Sequence, residues 1–180
     1  MRRTKKILAA ILLILATVPS ACQNRPEGWT PVLEETSTVF LEAETQRVLE
    51  RVRAAREEVR VDPEAAAGTL QEAETSLEHL LAYYLPLLQA RERAYNAYRS
   101  FFLQDEGRVT EELRLVENLL ETMAETASGV RLHEIQSLAE VLADARMAVE
   151  SGPDEGQRAL EALARALNQA ALKGDLILQG

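Results

Sequence analysis

One apolar stripe constrains this chain more than any other feature. Between Leu70 and Phe102 the apolar residues recur on a heptad count begun at Leu70 as position a. The a sites are Leu70, Leu77, Tyr84, Arg91 and Tyr98, and the d sites are Ala73, Leu80, Leu87, Ala94 and Phe101. Leu81, Leu88, Tyr95 and Phe102 widen the stripe through position e. A stripe of that width belongs to a bundle helix and is broader than the seam of a two-stranded coiled coil. Strand-like alternation is missing throughout. The spacing therefore predicts an all-α protein.

Start signals divide the chain into four helices. A proline in the first helical position loses no hydrogen bond, because that N–H has no partner inside the helix. Thr30-Pro31, Asp62-Pro63 and Gly152-Pro153 all have this form. Thr110 before Glu111 and Glu112 places a capping hydroxyl and two acids at the positive end of a fourth helix. Helices are thus expected near 31–60, 64–104, 110–150 and 154–173. The short connection between the second and third predicts an elongated antiparallel bundle built on their long hairpin, flanked by the other two. Pro86 interrupts the hydrogen bonding of the second helix. The third carries Leu113, Val116, Leu120, Met123 and Ala127, slips phase at Ser128-Gly129, and resumes with Ile135, Leu138 and Leu142. That slip implies a kink or a short break. Gly174 is placed to end the fourth.

The N-terminus has a different logic. Arg2, Arg3, Lys5 and Lys6 precede an uncharged apolar run from Ile7 to Val18, which ends at Pro19-Ser20-Ala21-Cys22. This is the layout of a secretory signal, and the run is short of the ~20 residues a membrane-spanning helix needs. Ser20, Ala21 and Cys22 resemble the lipobox of a bacterial lipoprotein, with Pro19 standing where a Leu-like residue is usual. The resemblance implies cleavage before Cys22 and a lipid on its thiol. Ordinary cleavage after Ser20 or Ala21 is the alternative. Cys22 is the chain's sole cysteine, so neither a disulfide nor a cysteine metal cluster competes for it. The expected layout is a signal peptide over 1–21, a lipidated tether over 22–29 and one helical domain over 30–180. Export and anchoring in a bacterial cell envelope follow from it.

Charge narrows the partners. The net charge is −9, and it becomes −13 once the four basic signal residues leave. An acidic body of this kind argues against nucleic acid and against unaided adhesion to anionic lipid. Membrane attachment is expected through Cys22, and a protein partner through the surface.

No constellation names a reaction. The two histidines, His79 and His133, fall at positions c and f of their local heptads and are expected to be exposed, which makes them weak metal candidates. A di-iron carboxylate bundle needs Glu-x-x-His, but Ser76 and Val130 stand three residues before the histidines. Adjacent acids such as Glu57-Glu58 and Glu111-Glu112 diverge by ~100° on a helix and read as solvated faces. Phosphate loops and nucleophile elbows are missing from the sequence. Arg91, an arginine at an a site beside Tyr84 and Tyr95, is either a stacked and paired core residue or an anion-binding group in an aromatic cavity. The expectation is a non-catalytic, cofactor-free binding or scaffolding module. The alternative is a helical binder of a small anion, an apolar molecule or a metal.

Overall fold

The computed structural model describes residues 35–177, with side chains from 40 to 172. Cys22, the signal segment, the tether and the helix start expected at Thr30-Pro31 lie outside the described residues. Six α-helices follow in order: α1 (Glu35–Glu58), α2 (Pro63–His79), α3 (Leu85–Phe102), α4 (Glu106–Thr126), α5 (Gly129–Ser151) and α6 (Pro153–Ile177). A π-helical turn, Leu80–Tyr84, joins α2 to α3 without a break. No described helix is long and apolar enough to cross a membrane. The all-α bundle inferred from the stripe is the observed fold.

Local chemistry accounts for most boundaries. Asp62 caps α2 by accepting from the N–H groups of Glu64 and Ala65, with Pro63 in the first helical position as expected. The π turn sits directly before Pro86. Proline offers no N–H and its ring crowds the carbonyl one turn back, so the ladder widens there and Leu85 donates to the Leu80 carbonyl five residues earlier. The helix runs on as one rod from Pro63 to Phe102, about 60 Å at the usual rise.

Two expected boundaries are corrected. α4 begins at Glu106, where the Asp105 carboxylate accepts from the Arg108 N–H; Thr110 lies inside the helix with its hydroxyl bonded to the Glu106 carbonyl. Gly174 does not end α6, which continues to Ile177.

The larger correction concerns 110–150. That stretch is not one arm of a long hairpin but two helices folded back on each other at Ala127-Ser128. Gly129 adopts φ +56°, a left-handed conformation that glycine reaches without strain, and so allows the reversal. Arg146 on α5 donates to Glu117 on α4 at 2.6 Å, a bond that marks the antiparallel pairing. Gly152, φ +155°, reverses the chain again between α5 and α6.

The result is a four-helix ring in which α3 packs on α4 and α6, and α5 packs on the same two. Tyr84, Leu87, Val116, Leu120, Leu160, Leu163 and Leu167 fill its closed core. α4 has 21 residues, so it spans about 32 Å and accompanies only the α3 half of the rod. The α2 half is joined by α1, running antiparallel: Arg51 meets Ser76, and Thr69 meets Glu58. Phe40 seats α1 on the rod, its ring 4.7 Å from that of Tyr84 in a cluster with Leu80. The described residues thus form a four-helix bundle and a two-helix arm.

Candidate functional site

Helical geometry distributes the arm's side chains. In the arm's seam, Val48 and Ala55 of α1 are buried, as are Ala66 and Ala73 of α2. With ~100° per residue, Arg51, Thr69, Ser76 and Glu72 fall on one flank of that seam. They bond across the hairpin, Arg51 Nη1 donating to Ser76 Oγ at 2.7 Å and Arg51 Nε lying 3.9 Å from the Glu72 carboxylate. The other flank receives Leu49 and Val52 from α1 and Leu70, Leu77 and Leu81 from α2 and the π turn. These keep 40%, 40%, 48%, 42% and 64% of their surface exposed. One flank of the arm is tied by polar bonds. The other is an open apolar face.

At the base of the arm, the π turn and the α4–α5 reversal meet in a cleft of about 550 Å³. Thr75, His79, Leu81, Tyr83, Met123 and Arg131 are among its walls. His79 is 7% exposed and stacks on Tyr83 with ring centroids 5.5 Å apart. Neither imidazole nitrogen has a hydrogen-bond partner among the described residues. Burial, reinforced by the nearby Arg131 cation, pulls the imidazole down to about 4, so it is neutral at neutral pH. Tyr83 donates to Glu134 Oε2 at 2.7 Å, and Arg131 lies over its ring at 5.6 Å. Burial and the Glu134 carboxylate raise the Tyr83 phenol well above its ordinary value.

His79 was expected to be exposed and is buried. Met123 of α4, Ala127 of the reversal and Arg131 of α5 wall the cleft on the flank where it lies. His133 is exposed on α5. The described residues contain no group of three or more His, Cys, Asp or Glu side chains placed to hold a metal ion.

The other singled-out residues lie in the bundle. Arg91 and Tyr84 are buried on the α3 side of the rod, and Tyr95 is half-buried. The cleft at the arm's base does not include them, nor does a second one of about 380 Å³ between α4 and α5 around Leu120, Ile135 and Leu142. Glu112 departs from the expected solvated face: it is buried, bonded to Arg93 at 3.3 Å and 3.7 Å from Arg108. Two arginines offset the cost of desolvating that carboxylate. Its neighbour Glu111 stays exposed, and Arg114 lowers its pKa by hydrogen bonding. Tyr83, Arg131 and Glu134 were not legible as a group, since they come from helices about 50 residues apart in sequence.

Family models, curated proteins and solved structures were compared with the chain, and none matches.

Proposed function

We propose that this protein is a lipid-anchored module of a bacterial cell envelope that works by binding or scaffolding rather than by catalysis. The observation that carries the reading is the contrast between a closed bundle core and the open apolar face at Leu49, Val52, Leu70, Leu77 and Leu81. Contiguous exposed apolar surface on a folded body marks an interaction site. Lipidation of Cys22 supplies the attachment that an acidic body would not achieve by itself.

The test is cross-linking in the native envelope, comparing the native chain with Leu70→Glu/Leu77→Glu. The native chain is expected to form arm-dependent adducts that the double variant loses while its helicity is retained. Adducts unaffected by the substitutions remove the arm from the function. Cys22→Ser is expected to release the protein from the membrane fraction, and continued sedimentation with membranes overturns the anchor.

A second reading is favoured by one observation, the buried and unbonded His79 imidazole beside Arg131. On this reading the cleft takes a small amphiphilic carboxylate, its tail on Leu81 and Met123 and its head on Arg131. Titration with octanoate, followed through the His79 imidazole resonances, tests it. Unchanged resonances at saturating octanoate remove it.

A further inference from the structure

The open face of the arm carries an ordered charge pattern as well as apolar area. Moving outward from Leu49 and Val52, the rim of α1 bears Arg53 and Arg56, with Arg60 just beyond its end. Moving outward from Leu70 and Leu77, the rim of α2 bears Glu74 and Glu78. Between Val61 and Ala90 the sequence has no lysine or arginine at all. The face is therefore apolar along its middle, basic along one edge and acidic along the other.

These rim charges differ from their neighbours. Arg47 pairs with Glu44, and Arg51 bridges to Glu72 across the seam. Arg53, Arg56, Arg60, Glu74 and Glu78 are exposed and make no ion pair among the described residues. In the bundle Arg93 and Arg108 pair with Glu112, Arg114 with Glu111 and Arg146 with Glu117, while Arg99 is exposed and makes no ion pair among the described residues.

An isologous contact requires a patch complementary to itself. We propose that the occupant of this face is a second copy of the chain, with two arms stacked about a two-fold axis parallel to their helices. That operation lays α1 of one copy on α2 of the other, so basic edge meets acidic edge on both sides of a shared apolar seam. A two-fold axis across the helices would instead set α1 on α1 and α2 on α2, like charge on like. An anionic lipid surface would suit the basic edge and repel the acidic one, and a strongly basic or acidic peptide would match only half of the face. Stacked this way, Leu70 and Leu77 gain a second apolar neighbour, and the two arms form a four-helix seam.

The inference rests on the arm being the working surface, and the experiment separates the two. Two tagged full-length copies are co-expressed in the native envelope, one carrying Arg53→Cys and the other Glu74→Cys, and disulfide-linked species are read without reductant. Unsubstituted chains report any bond made through Cys22. The proposal expects a linked dimer in the mixed pair, its loss in the Arg53→Cys homopair, and its loss when Leu70→Glu/Leu77→Glu is added. Charge gives an independent arm of the test. Arg53→Glu/Arg56→Glu should weaken association measured by chemical cross-linking, and adding Glu74→Arg/Glu78→Arg to the same chain should restore it. Equal linking of the mixed pair and the homopair overturns the pairing. Arm adducts to a different protein without self-adducts overturn the dimer but leave the binding module standing, whereas no arm adduct of any kind overturns both.

Discussion

Leu70 and Leu77 occupy the same heptad position, on the same unbroken rod, as Tyr84, Arg91 and Tyr98. The first two are nearly half exposed, whereas the last three are buried. Upstream of the π turn the stripe meets one neighbour, α1; downstream it meets two, α4 and α6. An amphipathic pattern records which side of a helix is apolar. It does not record how many partners that side has. In this chain the bundle buries its stripe and the arm leaves part of its stripe exposed.

The largest test of that division is a matched pair of truncations. Leu163→Ala removes a fully buried side chain from the bundle and should cost about 2–5 kcal/mol in urea unfolding. Leu70→Ala leaves no cavity, and at protein concentrations low enough to keep the chain monomeric it should change stability by less than about 1 kcal/mol. A large loss at Leu70 in the monomer would erase the distinction between arm and bundle.

His79, at the junction, sharpens the comparison through pH. Its imidazole titrates near 6.5 when unfolded and at about 4 when folded. Below pH 6.5 the unfolded chain therefore takes up a proton that the folded chain refuses. The stability associated with neutral His79 is complete above 6.5 and is lost progressively as pH falls toward 4. Each tenfold difference in proton affinity between the two states is worth ~1.4 kcal/mol, so the loss across that window is about 3 kcal/mol. Thermal unfolding of the native chain and of His79→Leu between pH 4 and 7 isolates this share, because other groups titrate in both. Parallel curves would mean that the junction opens to water and does not couple arm to bundle.

The sequence carried some of this architecture and withheld the rest for physical reasons. The stripe, Asp62-Pro63 and Gly152-Pro153 are local signals and were enough for the fold class and two helix starts. The phase slip at Ser128-Gly129 located the break between α4 and α5. Whether a two-residue connection continues a helix or reverses it depends on φ at Gly129 and on how α4 and α5 pack together, neither of which a single segment encodes. The Tyr83–Glu134 bond follows from that reversal, so it was hidden with it. α4 starts before the Thr110 signal because Asp105 is as good a cap and comes first.

Two glycines that look alike in sequence, each inside a helix, set the last comparison. A Cβ on Gly156 would stand 2.8 Å from the Phe101 ring and 3.1 Å from the Val149 Cα, so α6 approaches α3 and α5 there through glycine. Gly156→Val should therefore destabilise the bundle by about 1–3 kcal/mol through overpacking. A Cβ on Gly68 meets nothing within 4 Å. The same helical backbone then benefits from losing the freedom of glycine, and Gly68→Ala should stabilise α2 by about 0.5–1 kcal/mol. Hydrogen exchange across α2 reads that gain directly, because it reports local opening of the arm before the bundle unfolds. Slower exchange confined to residues around Gly68 would mean that arm and bundle open separately. Slowing spread equally over α4 to α6 would mean that the π turn couples them into one cooperative unit.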